Sequence, residues 1–279
     1  MSQQSTIQIL KEMRFSAMAA EYEKQNANPL AFEKLSFDER FTLLVEAERI
    51  KRQNSKLKKL IDIADFFFPH ACLEDLEYYP DRKLDKVRLW DFATGRYIDL
   101  GNHIIIKGAS GCGKTYLACA FGMAACRKFK KVRYIRLAVL LDDFKVAHAS
   151  GNFRKILNEY RKVDLLILDD WLLRRLNEDQ THDVLELVEY RSCNTNHPGG
   201  MSTIFCTQYN EGDWYDRIVQ PNSENAPETD AILDRIIHNS HVVTMSGMSM
   251  RQRHGLDAPE NQSALLDDTS RGSAPNPGV

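Results

Sequence analysis

The residues Gly108-Ala109-Ser110-Gly111-Cys112-Gly113-Lys114-Thr115 match the pattern G-x-x-x-x-G-K-[ST] in full. Their flanks constrain the fold more than the match does. An apolar run, His103-Ile-Ile-Ile-Lys107, leads in, and Tyr116-Leu-Ala-Cys-Ala-Phe121, of helical texture, leads out. Strand, glycine-rich loop and helix in that order form a phosphate cradle, whereas a chance glycine-rich turn lacks this context. The glycines let the backbone turn tightly and aim its N–H groups at phosphate oxygens. The helix N-terminus adds about half a unit of positive charge. Lys114 is placed to reach β- and γ-phosphates and Thr115 to ligate Mg²⁺. Gly108 to Thr115, with Tyr116, are the candidate residues for binding a nucleoside triphosphate, ATP, with Mg²⁺.

A second element fits this reading. Val163-Asp-Leu-Leu-Ile-Leu168-Asp169-Asp170 is an apolar strand ending in two carboxylates. Asp169 is the candidate to hold Mg²⁺, mostly through water, since hard cations take oxygen donors. Asp170 is then the candidate to orient or deprotonate the attacking water. A solvated acidic turn is the plainer alternative, and it accounts less well for two carboxylates after an apolar run.

Around these motifs, short apolar strands alternate with longer helices. Strands are expected at His103–Lys107, Val132–Arg136, Asp164–Asp169, Thr203–Thr207 and His241–Met245. Helices are expected at Lys114–Lys128, Ala138–Ser150, Glu178–Cys193 and Asp230–His238. Such alternation implies a parallel sheet covered by helices on both faces. Residues 1–68 read instead as a small all-helical domain. Ile7, Leu10, Met13, Met18 and Tyr22 recur at helical spacing, and a second helix opens at Phe37 after Asn28-Pro29. The expected organisation is a helical domain (1–68), an α/β P-loop domain (69–254) and a disordered tail (255–279) rich in Ser, Pro, Asn and Gly.

Net charge is −2, so nucleic-acid contact has to come from a local patch. One candidate runs from Arg49 to Lys59, with six basic residues and no acid. On a helix, Arg49, Arg52, Lys56 and Lys59 share a face, with Lys58 beside them. Such a stripe can neutralise DNA phosphates regardless of sequence, or be merely a solvated helix face. Glu46 and Glu48 dilute its field. Lys145, Arg154 and Lys155 are weaker candidates. No run of apolar residues is long enough to cross a membrane, and Met1-Ser-Gln-Gln-Ser-Thr lacks a signal-peptide pattern, so cytoplasmic residence is expected. Cys72, Cys112, Cys119, Cys126, Cys193 and Cys206 form no C-x-x-C pair and read as small buried hydrophobes. His238 and His241 lack a third partner for a metal.

Beyond the P-loop, several stretches resemble the IstB family of ATP-binding transposition helpers, relatives of the DnaC helicase loaders within the AAA+ ATPases. They are Leu165-Leu-Ile-Leu-Asp-Asp-Trp171, Thr203-Ile-Phe-Cys-Thr-Gln208 with Trp214, Ala231-Ile-Leu-Asp-Arg-Ile-Ile-His-Asn-Ser-His241 and Ser249-Met-Arg251. The resemblance implies an AAA+ fold behind the helical domain. It places Gln208 at the sensor-1 position, Arg235 at the arginine finger that reaches a neighbouring subunit's γ-phosphate, and Arg251 at the sensor-2 position. From the residues alone, Gln208 can equally cap a strand, Arg235 can pair with Asp234 or another local acid, and Arg251 can belong to a solvated basic segment. The implied function is ATP-dependent oligomerisation on double-stranded DNA and recruitment or regulation of a transposase, with hydrolysis dismantling the assembly. A DnaC-like helicase loader is the alternative. A small-metabolite kinase finds no acceptor pocket or lid in the sequence. Two departures stand out. Asp170 occupies a place where AAA+ proteins usually carry glutamate, although one branch of IstB-like proteins resembles this Asp-Asp-Trp, and the shorter side chain implies slow turnover; Tyr116 stands where many relatives carry histidine.

Overall fold

The computed structural model describes residues 3–192, 201–219 and 225–254. The chain divides into two compact units, Met1–Leu60 and Ile61–Val279. The first is helical: α1 (Gln3–Glu12), α2 (Ser16–Ala27), α3 (Pro29–Phe32) and the start of α4 (Phe37–Ala64). The sequence periodicity runs on from Ile7 to Tyr22, but the chain breaks between α1 and α2. Arg14 adopts a left-handed backbone (φ 62°) there, with no glycine or proline to announce it. A reciprocal cap opens α4. Glu39 N donates to Ser36 Oγ (3.3 Å), and Ser36 N donates to a Glu39 carboxylate oxygen (2.7 Å). Glu48 of α4 is buried and accepts from the first-turn amides of α2, Ala17 N at 2.9 Å and Met18 N at 3.3 Å. That satisfies donors a helix end leaves without intrahelical partners.

The second unit continues with α5 (Lys86–Ala93), α6 (Arg96–Asp99), β1 (His103–Gly108), α7 (Lys114–Arg127), β2 (Val132–Arg136), α8 (Leu137–Ala149) and α9 (Phe153–Arg161). β3 (Leu165–Asp169), α10 (Glu178–Ser192), β4 (Ser202–Thr207), α11 (Tyr215–Ile218), α12 (Ala226–Ile237), β5 (Ser240–Met245) and α13 (Met250–Arg253) follow. All five strands pair in parallel in the order β2-β3-β4-β1-β5. β3 and β4 are buried along their whole length, as the uninterrupted apolar runs require of strands covered on both faces. α12 starts four residues before the expected Asp230, because Pro227 is tolerated in a first helical turn. α9 was absent from the expected helices, although Phe153, Ile156, Leu157 and Tyr160 give it an apolar stripe at helical spacing.

On one face of the sheet, Leu140, Phe144, Leu157, Trp171, Val184, Trp214 and Ile232 form a continuous core with Ile105, Leu166, Leu168 and Phe205 of the strands. At the amino-terminal edge, buried Arg191 of α10 donates to the carbonyls of Tyr160 (2.9 Å) and Val163 (3.0 Å) and to Thr203 Oγ1 (3.1 Å). The opposite edge gathers Lys107, Arg136, Asp169, Thr207 and Met245, where a parallel sheet receives its ligand. The expected tail, 255–279, and Cys193 lie outside the described residues.

Candidate functional site

The loop between β1 and α7 turns through Gly111 (φ 79°) and Gly113 (φ 98°), backbone angles that side chains disfavour. A Cβ on Gly113 would also stand 3.0 Å from the guanidinium of Arg82, and one on Gly111 would collide with Ser249 Oγ. Glycine is thus demanded twice over, by conformation and by space. Ala109 and Ser110 are exposed, whereas Cys112 is buried. Lys114 is 8% exposed, and its ammonium donates to Gly108 O and Ala109 O, both at 2.8 Å. The loop thus holds this cation at the mouth of the amide cradle.

At the end of β3, Asp169 is buried and fully engaged. Its Oδ2 accepts from Thr115 Oγ1 (2.8 Å) and from the phenol of Tyr134 on β2 (2.8 Å), and Oδ1 accepts from Asp170 N (3.0 Å). The donor set fits Mg²⁺. The Thr115 hydroxyl and the Asp169 carboxylate are hard oxygen donors held side by side by their 2.8 Å hydrogen bond, where one small cation could be bound directly or through its water.

Asp170 leaves the strand with a left-handed backbone (φ 53°), and so does Leu172. Conformations of this kind cost about 1–3 kcal/mol each and persist where the surroundings impose them. The residue between them supplies that constraint. Trp171 is fully buried, stacks edge-on to Phe205 (4.7 Å) and Trp214 (5.7 Å), and donates its backbone N–H to Cys206 O at 2.7 Å. Burying an indole of about 200 Å² contributes roughly 5 kcal/mol, of the same order as the two bends together. Burial pushes the Asp170 carboxyl above the ordinary carboxylate range and the Asp169 charge pushes it further, against opposing pulls from Arg136, Lys114 and Arg251.

These groups line one cavity of about 450 Å³. Gln208, exposed just past β4, and Arg251 on α13 reach it too. So does Tyr116, whose hydroxyl exchanges hydrogen bonds with the backbone of Cys72, both at 3.3 Å. The cavity also holds residues that sequence reasoning missed. Arg136 ends β2 at the ligand edge, so the carboxyl-end rule was enough to find it. Tyr134, Leu76, Glu77 and Arg82 carried no such signal, because their roles depend on what packs beside them.

Other candidates lie apart. Arg235 does not line the cavity. It donates to its own helix at Ala231 O (2.9 Å) and pairs with Glu189 of α10 at 2.8 Å, so its local acid is Glu189 rather than Asp234. In the helical unit, Arg49, Arg52, Lys56, Lys58 and Lys59 are all exposed along α4. Arg49 pairs with Glu46, and Arg52 pairs with Glu48 and lies over the Phe15 ring at 4.9 Å. Of the described cysteines, Cys112, Cys119, Cys126 and Cys206 are buried; Cys72 is half-buried and bonded to Asp75. His238 is exposed beside Asp234, and His241 packs on Phe92. Among the described residues, no helix is long and apolar enough to cross a membrane.

A parallel sheet of this order, with a glycine-rich loop after β1 and paired carboxylates after β3, defines an ATP-binding P-loop protein of the AAA+ class. The IstB-like ATP binding protein family matches residues 8–258, and the chain belongs to that family. A Pseudomonas fluorescens protein named as an ATP-binding protein of insertion sequence IS1162 is 38% identical over 75% of this chain and 87% of its own. The insertion-sequence ATP-binding protein y4pL of Sinorhizobium fredii is 35% identical over 88% and 96%. Among solved structures, DnaI shares the fold at a TM-score of 0.52 and 19% identity, covering 70% of this chain and 93% of that one. AMPPCP-bound DnaA from Aquifex aeolicus does so at 0.52 and 18%, covering 76% and 59%.

Proposed function

We propose that this chain hydrolyses ATP, assembles through ATP into oligomers on duplex DNA, and assists transposition by recruiting or regulating the transposase encoded with it. The observation that carries the catalytic part is the junction at β3. Asp169 is pinned beside Thr115, while Asp170 faces a cavity that Lys114, Gln208 and Arg251 also line. Gly108 to Gly113 present amides to the triphosphate, Tyr116 walls the cleft, and Lys114 bridges β- and γ-oxygens. Thr115 and Asp169 would hold a Mg²⁺ ion, which would supply charge neutralisation at those oxygens. Asp170 orients water in line with the γ-phosphorus and takes its proton as the bond to the bridging oxygen breaks. A raised carboxyl suits a proton acceptor. Gln208 fixes the water or a γ-oxygen, and Arg251 neutralises its own subunit's triphosphate.

Arg235 is proposed to complete the site of the next subunit. Its pair with Glu189 is partly exposed, 28% at the arginine and 51% at the carboxylate, so releasing the guanidinium costs on the order of 1 kcal/mol. DNA binding is assigned to the exposed stripe on α4, above all Lys56, Lys58 and Lys59, with Arg49 and Arg52 contributing charge. The names borne by the insertion-sequence relatives support the link to transposition, and residence in the cytoplasm follows from it.

Electron microscopy and light scattering with duplex DNA and a slowly hydrolysed ATP analogue test the proposal. Ordered oligomers that need both ligands are expected, and a monomer under those conditions at low salt refutes it. Replacing Lys56, Lys58 and Lys59 with glutamate should abolish DNA binding. Intact binding would instead favour a helical unit that grips a protein, as in a helicase loader.

A further inference from the structure

The short turn Pro80–Arg82 touches both the P-loop and the segment that carries Arg251. Arg82 is 2% exposed, and its guanidinium donates to Cys112 O inside the P-loop at 3.0 Å and to Glu77 O on the other side. Its neighbour Asp81 grips the far segment. The Asp81 carboxylate accepts from Met248 N at 2.9 Å and pairs with the Arg253 guanidinium, and its carbonyl accepts from Ser246 Oγ at 2.9 Å. Arg253 also lies over the Tyr79 ring at 4.1 Å, and His254 pairs with Glu77 at 3.2 Å. The clasp closes on the P-loop directly. Met250 N donates to Gly111 O at 2.9 Å, and the Ser249 side chain fills the space that the missing Gly111 side chain leaves open.

α13 is a single turn of four residues, too short to hold its place by its own hydrogen bonds. Arg251 is exposed within it and lines the nucleotide cavity. We propose that Asp81 is the positioning residue for Arg251: by tying Met248 and Arg253 to the turn that Arg82 anchors under the P-loop, it holds Arg251 over the phosphates, so that discrimination between ATP and ADP depends on a carboxylate that does not line the cleft. This rests on the reading of Arg251 as a phosphate-facing residue. A guanidinium contact with the γ-phosphate is a charge-assisted hydrogen bond, of a strength that corresponds to roughly tenfold or more in affinity. Without the Asp81 carboxylate the segment keeps its bonds through Ser246 Oγ, Met250 N and His254 but loses the anchors at Met248 and Arg253 on either side of Arg251. An arginine so loosened spreads over more positions and forfeits most of that factor.

The test is a double-mutant cycle on the full chain. It measures ATP and ADP affinity with Mg²⁺, together with melting temperature, for Arg251→Ala, Asp81→Ala and the pair. Arg251→Ala should cut the ATP-over-ADP preference about tenfold. Asp81→Ala should cut it nearly as far, leave ADP affinity within about twofold, and add nothing in the double variant. Equal weakening of ATP and ADP, or losses that multiply in the pair, would assign Asp81 a structural role only and overturn the inference. An unchanged preference in Arg251→Ala would overturn the reading of Arg251 itself, and the inference with it. Should Asp81→Ala fail to fold, Arg253→Leu opens the same clasp from the other side and carries the same expectation.

Discussion

Replacing Tyr134 with phenylalanine deletes one oxygen and leaves the ring in place. That oxygen donates at 2.8 Å to Asp169 Oδ2, and both residues are buried, at 7% and 4% exposure. A hydrogen bond to a charged group contributes about 1.5–3 kcal/mol, and at 1.4 kcal/mol per tenfold this corresponds to roughly 10- to 100-fold in an equilibrium constant. Removing a partner that orients a metal-ligating carboxylate costs metal affinity by about the same factor, 10–100-fold. The two routes agree. The Mg²⁺ concentration for half-maximal tightening of a fluorescent ATP analogue should therefore rise about 10- to 100-fold in Tyr134→Phe. Affinity for the same analogue without Mg²⁺ should stay within about twofold, because the amide cradle and Lys114 are untouched. The metal-free protein should also melt a few degrees lower. A Mg²⁺ midpoint within about threefold of the wild type, alongside that lower melting temperature, would refute the argument and leave Tyr134 a packing residue.

Three further outcomes are expected. Asp170→Asn should bind ATP normally yet lose hydrolysis by at least about 10²-fold. Arg235→Ala should hold ATP but hydrolyse it about 10³-fold more slowly, with Glu189→Gln near wild type; equal rates for wild type and Arg235→Ala at high protein concentration would remove Arg235 from the site. Burial, with help from Arg191, pulls the buried His103 imidazole down to about 3, so the unfolded chain takes up a proton below about 6.5 that the folded chain refuses. Its contribution to stability is complete above that pH and is lost as pH falls towards 3, by up to about 1.4 kcal/mol per unit. Urea melts at pH 7.5 and 5.5 should show about 1 kcal/mol less acid loss in His103→Asn, which keeps an acceptor for Thr203 N–H.

Much of the α/β unit was legible because its strands are written as apolar runs. Ile104 to Ile106 and Leu165 to Leu168 are nearly fully buried on both faces, and such runs admit few other readings. The P-loop was legible for a related reason, since glycine spacing and a lysine encode local geometry. What escaped depends on contacts across the fold. Tyr134 looks like any strand aromatic until β3 places Asp169 beside it. Asp81 and Arg82 sit in an unremarkable Pro-Asp-Arg turn, and apart from Glu77 their side-chain partners lie 30 or more residues away, at Cys112 and between Ser246 and Arg253. The break at Arg14 was hidden because a left-handed arginine has no sequence mark.

The bend at Asp170 has a consequence for how fast such a site can evolve. Aspartate tolerates a left-handed backbone because its short side chain can bond locally, a compensation that longer side chains lack. A glutamate at this position would reach further towards the water, but it would sit on a backbone that penalises it unless the Trp171 anchor were rebuilt as well. On the proposed role of Asp170, a change to glutamate would have to be matched by repacking around Trp171, so the lifetime of bound ATP would depend on core packing as well as on that carboxylate.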